Sequence, residues 1–336
     1  MSSLTLDFGH RSPRLLCPRP PWHTYQPMLS LSVDADKVLN ALRTAGRGSA
    51  QDLAGTRYEH FRVLLEDVEL WGILCKLLQA FARADVPDEV GQALRLGRMT
   101  ALQKDNGKVR GIVAGSVLRR LTCRAVVMQF SDELMAATAP YQFALQTRAG
   151  TEALAHILRY LTEVDEDAVV VSLDGVGAFD HVHRAAFLDK LAADPRLEPL
   201  LPLVRMLYGS QSRFLWTDAA GTTHEILQGE GGEQGCPLMP ALFALAQHEG
   251  LVAASRNLLP SERLFAFLDD LYVVTTRARA NTAFEEVATQ VERHAGVRTH
   301  LGKLKAWCRG VGLRQRTLRR EPQEPGRPTA RKKTTA

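Results

Sequence analysis

The sequence predicts an α+β fold, and three observations carry that prediction. Short apolar runs that fit strands are interspersed with helical patterns, without the strict alternation of a βαβ fold. Among the 336 residues, 45% are hydrophobic, enough for one large core or two ordinary ones. No internal repeat indicates a solenoid or propeller. We therefore expect strands and helices mixed in one α+β architecture.

The first half of the chain is predicted to hold three helices and a pair of strands. Apolar residues at helical spacing predict a helix over residues 56–82. Residues 93–115 fit two strands joined by a polar turn at Asp105-Asn106-Gly107. A helix follows over residues 117–137. Thr151 is the expected N-cap of the next helix, which has leucines along one face.

The second half begins with AVVVSL at residues 168–173, a continuous apolar run that predicts a buried strand ending at Asp174. The other predicted elements, in chain order, are a helix over 184–193, a hairpin over 214–227 with its turn at Ala220-Gly221, a glycine-rich loop over 229–240, a helix over 241–254, a hairpin over 264–274 and a helix over 282–295. Asp269 and Asp270 are expected at the tip of the last hairpin.

Two adjacent aspartates within LFAFLDDLYVV are unusual, because an uncompensated carboxylate in apolar surroundings costs several kcal/mol. Taken alone, the pair fits a solvent-facing hairpin tip. Asp174, however, closes another apolar strand, and two neighbouring strands could bring it close to Asp269. Clustered carboxylates favour a hard cation such as Mg²⁺, and two such ions can assist an in-line phosphoryl displacement. The residues thus suggest metal-assisted chemistry on phosphates.

The charge of the chain is unevenly distributed. The net charge is +5, yet residues 309–336 alone carry +7, which leaves −2 for the remainder. This basic tail could contact nucleic-acid phosphates or act as a nuclear address, and a solvated tail is an equal alternative. Five dispersed cysteines with no CxxC pair indicate neither a disulfide framework nor a zinc site, so we expect a reduced, intracellular protein. No apolar run reaches the roughly 18 residues of a membrane span.

An ordered series of motifs resembles the palm of reverse transcriptases, most of all those of non-LTR retrotransposons and group II introns. The series is SLDGVGAFDHV, GGEQGCPLMPALF, AFLDDLYVV and HAGVRTHLGKLKAW. Upstream, ALQKDNGKVRGIV resembles the fingers hairpin of that family, and YQFALQTRAGTEALAHIL the stretch before the first palm motif. The likeness runs from about residue 45 to residue 309.

The resemblance implies a right-hand polymerase fold with fingers and an antiparallel palm sheet covered by helices. It places the fingers–palm domain at residues 41–308, between a poorly defined leader at 1–40 and the basic tail at 309–336. Only 28 residues follow Cys308, and their composition led us to expect that a thumb is missing.

The resemblance also implies roles for individual residues. Asp174, Asp269 and Asp270 would be the ligands of two Mg²⁺ ions, with Mn²⁺ as the substitute, and would form the catalytic set together with Lys303. Lys303 would protonate the pyrophosphate leaving group. Without the resemblance, an exposed lysine at this position is an ordinary surface charge.

Five further residues would bind the incoming nucleotide: Lys104, Arg110, Phe179, Gln234 and Gly235. Lys104 and Arg110 would reach the triphosphate, where arginine can hold two oxygens at once. Phe179 would exclude a 2′-hydroxyl, and Gln234-Gly235 would pack against the nucleotide and the template base. On residue chemistry alone they fit strand-edge charges, a core ring and a flexible loop. Gly111, Met239 and Leu304 depart from the usual motifs of the family.

The implied function is RNA-directed DNA synthesis in a retroelement, with an RNA template, a DNA primer and deoxynucleotides as partners and no membrane. The nucleus is favoured over the cytoplasm, and no oligomeric state is predicted. One alternative is a truncated, inactive remnant that only binds nucleic acid. Another is an RNA-dependent RNA polymerase, which Phe179 disfavours because that class tends to carry an aspartate there.

Overall fold

The computed structural model describes residues 24–103, 107, 109–145 and 147–309, and within them it shows two four-stranded sheets surrounded by helices. The helices are α1 (Ala35–Arg43), α2 (Tyr58–Arg62), α3 (Val68–Ala82), α4 (Asp88–Leu94), α5 (Val117–Gln129), α6 (Ser131–Thr138), α7 (Gly150–Val164), α8 (Ala178–His181), α9 (Arg184–Ala193), α10 (Leu201–Tyr208), α11 (Met239–Asn257) and α12 (Ala280–Ala295). The strands are β1 (Leu96–Gln103), β2 (Val109–Gly115), β3 (Ala168–Leu173), β4 (Ser212–Thr217), β5 (Thr223–Gln228), β6 (Arg263–Phe267), β7 (Asp270–Thr276) and β8 (Lys305–Cys308). The α+β prediction is confirmed.

One of the two sheets has the strand order β6-β7-β3-β8 and is antiparallel throughout. Its central strand β3 has the bounds predicted from AVVVSL. Val171 packs in the main core with α9, α11 and α12, whereas Val170 on the opposite face packs in a second cluster with Leu154 and Leu158 of α7. Both faces are covered, and this explains why the strand is continuously apolar instead of alternating.

The other sheet has the order β2-β1-β4-β5 and joins two hairpins. Within each hairpin the strands are antiparallel, but β1 and β4 pair in parallel over Leu96–Arg98 and Arg213–Leu215. Met99, Val113 and Phe214 form a small apolar cluster on one side of this sheet. The parallel junction therefore attaches the N-terminal hairpin to the segment that leads into the glycine-rich loop.

Helix α11 lies at the centre of the core. It begins after the glycine-rich loop with Pro240 in its first turn, where the missing N–H costs no helical hydrogen bond. It contacts α12, α9 and α6, and most of its residues are buried. Because α11 is covered on nearly all sides, the loop that precedes it ends on a rigid support.

Three predicted helix boundaries are wrong. The helix expected over residues 56–82 is interrupted at Asp67, whose carboxylate accepts the N–H groups of Glu69 and Leu70 at 2.8 and 3.0 Å and caps α3. The helix expected over 117–137 divides at Phe130 into α5 and α6. Thr151 is not an N-cap: α7 begins at Gly150, after Ala149 in a left-handed conformation.

The beginning of the described chain is also structured. Helix α1 spans the leader boundary placed at residue 40, and it buries Val38, Ala41 and Leu42 while packing on α5. Among helices in the described residues, none has the length and apolar character needed to cross a membrane.

Candidate active site

Strand register brings the three predicted acidic residues to one end of the antiparallel sheet. The last pair between β3 and β7 is Leu173 with Leu271, so Asp174 and Asp270 come directly beyond it on neighbouring strands. Phe267 pairs with Asp270 in the β6–β7 hairpin, which leaves Asp269 in the two-residue turn. The convergence expected from the sequence is therefore present in the backbone, with Asp270 as the first residue of a strand.

The turn that carries Asp269 is supported by a residue that the sequence analysis did not single out. Leu268 has φ 54°, a left-handed conformation that is costly for a branched side chain. Its N–H donates to the side-chain oxygen of buried Gln142 at 2.8 Å. Gln142 forms a parallel bridge with Ala266, so this segment lies directly against the hairpin. The position falls within YQFALQ, but nothing in that string indicated a contact with the aspartates.

Lys303 lies beside the acidic residues. Its Nζ is 2.6 Å from Oδ2 of Asp174, and the side chains are 57% and 23% exposed. The backbone fixes this pairing, because the N–H of His300 donates to the carbonyl of Asp174 at 2.7 Å. A short 3-10 helix at Leu301–Lys303 then directs the lysine back to the end of β3. Four predicted catalytic residues are thus gathered at one place.

The electrostatics of the site oppose full ionisation of the acidic pair. Burial, followed by repulsion from Asp174, raises the pKa of Asp269 above its ordinary value, while Lys303 and Arg110 oppose the rise. Burial, followed by repulsion from Asp269 and Asp174, also raises the pKa of Asp270. The charged forms of Asp269 and Asp270 are therefore destabilised by burial and by neighbouring negative charge, and the nearby positive charge offsets this only in part.

These carboxylates meet the chemical requirement of a divalent cation, namely a cluster of hard oxygen donors with uncompensated negative charge. The arrangement is not a finished binding site. In the part of the chain that the structure describes, no three His, Cys, Asp or Glu side chains are disposed so that they could hold a metal ion. Oδ2 of Asp174 accepts a hydrogen bond from Nζ of Lys303 at 2.6 Å.

Of the two predicted triphosphate contacts, only one can be located. Arg110 lies on β2 opposite Leu102, is exposed, and lowers the pKa of Asp269, so its charge acts on the acidic cluster. Lys104 lies outside the described residues, and its role stays a prediction. One cation of the first hairpin therefore lies close enough to Asp269 to act on it electrostatically.

Phe179 follows the Asp174 turn and is partly buried. Its ring stacks on that of Phe243 from α11, with centroids 4.8 Å apart and 10° between the planes. Its carbonyl accepts the N–H of Gly232 at 2.8 Å. The ring packs on the core helix, and the backbone of the same residue is bound by the glycine-rich loop.

The glycine-rich loop runs between Phe179 and strand β2. A Cβ on Gly231 would lie 2.3 Å from the carbonyl oxygen of Asp180, and one on Gly235 would lie 2.3 Å from that of Val113. Only glycine permits such close approaches. Gln234, between these contacts, is exposed. The loop thus packs against the backbone of residues 179–180 on one side and against β2 on the other, with Gln234 exposed between these contacts.

Two buried arginines beside this loop were missed. Arg119 of α5 forms an ion pair with Glu233 at 2.6 Å, and both side chains are 1% exposed. Arg184, at the start of α9, donates to the carbonyl oxygen of Gly231 at 2.8 Å. Burial lowers the pKa of the Arg184 guanidinium to about 10, so it keeps its charge at neutral pH. No local pattern joins residues 119, 184 and 233, and only the fold brings them together.

Comparison with known proteins agrees with this architecture. Residues 102–326 match the family model described as reverse transcriptase (RNA-dependent DNA polymerase). The chain is 29% identical over 252 residues to the retrotransposable element SLACS 132 kDa protein of Trypanosoma brucei gambiense, a match covering 72% of this chain and 20% of that protein. The chain thus spans about a fifth of the length of that relative.

Among solved structures, the chain is similar to telomerase from Candida tropicalis in complex with a TWJ fragment of telomeric RNA. The TM-score is 0.50 at 11% sequence identity, with 65% of this chain and 42% of that chain covered. This likeness concerns the fold, and it confirms the polymerase architecture predicted for the two sheets. The family match covers well over half of the sequence. The chain belongs to the reverse transcriptase family.

Proposed function

We propose that this protein is an RNA-directed DNA polymerase of a retroelement, which adds deoxynucleotides to the 3′ end of a DNA primer on an RNA template. The observation that carries the proposal is the meeting of Asp174, Asp269 and Asp270 with Lys303 at one end of the antiparallel sheet. The retroelement origin draws on the likeness to the SLACS protein. Work in the nucleus stays a prediction.

Asp174, Asp269 and Asp270 would hold two Mg²⁺ ions, with Mn²⁺ as the substitute. When bound, the ions would activate the attacking 3′-hydroxyl and neutralise charge that develops on the phosphate. The raised pKa values of Asp269 and Asp270 support this role, because carboxylates whose ionisation is opposed by burial and by each other are stabilised by an added cation. Before any metal ion binds, the short Lys303–Asp174 contact keeps a positive charge next to these carboxylates.

The remaining residues would bind and orient the substrate. Arg110 would grip phosphate oxygens of the incoming nucleotide with its two-pronged guanidinium, together with Lys104. Lys303 would deliver a proton from Nζ to the departing pyrophosphate. Phe179, fixed by its stack on Phe243, would block the space of a 2′-hydroxyl, which favours deoxynucleotides over ribonucleotides. Gln234 would pack on the nucleotide and its template base.

Primer extension tests the proposal. The full chain should extend a DNA primer annealed to RNA when Mg²⁺ and deoxynucleotides are supplied. Asp269→Asn should lower the rate at least about 10³-fold, because a carboxylate that would hold the Mg²⁺ ions at the transition state is lost. Asp132→Asn, an equal change on the exposed start of α6, is the matched control and should retain the wild-type rate.

Two outcomes would contradict the proposal. Extension that survives Asp269→Asn would remove the acidic cluster from the mechanism. Binding of the RNA–DNA duplex without any extension by the wild type would favour the inactive remnant. Salt dependence would then show how much of that binding comes from phosphate contacts.

A further inference from the structure

The segment of the loop just before Gln234 is fastened at two points by buried arginines. At the first point, Arg184 donates two hydrogen bonds to the loop: its backbone N–H donates to Oε2 of Glu230 at 2.8 Å, and its Nε donates to the carbonyl of Gly231 at 2.8 Å. The same guanidinium donates to the carbonyl of Ser210 at 2.6 Å and to Oγ of Ser212 at 2.9 Å. Arg184 therefore ties the start of the loop to the start of β4.

The second fastening point is Glu233, the residue immediately before Gln234. Arg119 donates from Nη1 to Oε1 of Glu233 at 2.6 Å and to the carbonyl of Leu94 at 3.2 Å. Both charged side chains are 1% exposed. A buried ion pair of this kind contributes little net stability compared with apolar residues of similar size, although breaking it on one side is costly. Its presence here needs a reason other than stability.

A single ring supports both arginines. Tyr208, at the end of α10, is buried, and the guanidinium carbons of Arg119 and Arg184 lie 5.2 and 5.3 Å from the centre of its ring. Both distances are within the range of cation–π attraction. The two fastening points are therefore not independent, because each packs against the same aromatic side chain.

This arrangement restricts the conformations open to the loop. Gly231 lies against the backbone of Asp180, and Gly235 against that of Val113, so the loop is closely packed on both sides of Gln234. Gln234 is the exposed residue between these fixed points. A displacement of about 1 Å in a substrate contact can cost roughly 10²-fold in rate, so rigid fastening at this position has a catalytic consequence.

We propose that Arg119, Glu233, Arg184 and Tyr208 form a positioning unit that fixes Gln234 over the incoming nucleotide, and thereby sets nucleotide affinity and the discrimination against mispaired nucleotides. The inference rests on the proposed polymerase function. These four residues touch neither substrate nor metal in this scheme. They act through the loop, and the ion pair is kept because it specifies one loop conformation.

The test replaces the ion pair by apolar residues of similar size, as Arg119→Met with Glu233→Leu, so that no charge is left buried alone. We expect the KM for deoxynucleotides to rise about 10-fold or more and discrimination against a mispaired nucleotide to fall, while the Kd for primer–template stays unchanged. The matched control is Arg279→Met with Glu262→Leu, which removes another ion pair with a buried glutamate, at 3.1 Å, between the residues that immediately precede β6 and α12. It should leave the KM unchanged.

A second pair of variants covers the case in which the double variant does not fold. Tyr208→Phe keeps the ring between the arginines and should retain the wild-type KM, whereas Tyr208→Leu removes the ring and should raise it. A folded Arg119→Met/Glu233→Leu or Tyr208→Leu variant with the wild-type KM and fidelity would overturn the positioning role. So would an equal rise of KM in the Arg279/Glu262 control.

Hydrogen exchange of the ligand-free full chain separates this inference from the proposed function. Amides of residues 229–236 should exchange at least about 10-fold faster in Arg119→Met/Glu233→Leu than in the wild type or the control, whether or not the protein is active. Unchanged exchange would overturn the fastening itself. Faster exchange in the variant, combined with a wild type that never extends a primer, would instead overturn the polymerase function and, with it, the nucleotide role of the unit.

Discussion

Replacement of Lys303 by methionine separates a catalytic from a structural role, because the structure predicts very different sizes for the two effects. The Lys303–Asp174 contact is short, at 2.6 Å, but the lysine side chain is 57% exposed, so water and salt screen the pair. Such pairs contribute about 0–1 kcal/mol. We therefore expect Lys303→Met to lower Tm by no more than about 4 °C.

The effect on activity should be much larger. If Nζ of Lys303 gives a proton to pyrophosphate, its loss should lower kcat by roughly 10²–10⁴, the usual contribution of a general acid. Even the lower limit corresponds to about 2.7 kcal/mol in the activation free energy, more than the pair contributes to folding. Single-turnover extension measures the chemical step, and thermal melting measures stability on the same samples.

Lys305→Met is the matched control for this experiment. Lys305 is an exposed lysine two residues further along, at the start of β8, and it pairs in the ladder with Ser172. Its replacement should leave the rate of the chemical step within about 2-fold of the wild type. The reasoning is refuted if Lys303→Met keeps more than a tenth of the wild-type rate, or if Lys305→Met loses as much.

Three other substitutions test separate parts of the site. Phe179→Val should raise ribonucleotide incorporation relative to deoxynucleotides by roughly 10- to 100-fold, a ratio that partial unfolding does not change, and an unaltered ratio would contradict the steric role. Asp270→Asn should stabilise the metal-free protein at pH 7 by about 0.5–2 kcal/mol. Asn stabilises because the pKa of Asp270 is raised in the folded state, so its ionised form at pH 7 destabilises the folded protein. As pH is lowered towards the ordinary value of 3.8, Asp270 becomes protonated and the gain in Tm should shrink. Gly235→Ala should lower Tm and raise the KM for deoxynucleotides, since the new Cβ would lie 2.3 Å from the carbonyl of Val113. Gly72→Ala, with open space around its Cβ in α3, should stabilise by about 0.5–1 kcal/mol instead, and an equal response of the two glycines would contradict the packing argument.

Local patterns predicted the elements that carry the acidic residues. AVVVSL gave β3 its bounds because an uninterrupted apolar run bounded by polar residues suits a strand covered on both faces. The apolar runs on both sides of Asp269 and Asp270 likewise predicted the hairpin. Antiparallel pairing of two such strands then suffices to bring Asp174 beside them, and this is the part of the site that sequence reasoning reached.

Contacts between distant residues could not be predicted in the same way. Arg119 and Glu233 are 114 positions apart, and each looks like an ordinary surface charge until the fold buries it. The support of Leu268 by Gln142 has the same origin. Helix ends were also wrongly predicted. The side chain of Asp67 accepts backbone N–H groups in the middle of a continuous apolar pattern, and apolar periodicity alone does not indicate such a cap.

The order of the strands in the antiparallel sheet has a consequence for synthesis on the ribosome. Both hydrogen-bonding partners of β3 come later in the chain, β7 from Asp270 and β8 from Lys305. At about 5–20 residues per second, close to 100 residues must be translated before β7 arrives, a wait of roughly 5–20 s. During that interval β3 lacks both of its pairing partners, and an apolar strand with two unpaired edges is a template for pairing with other chains.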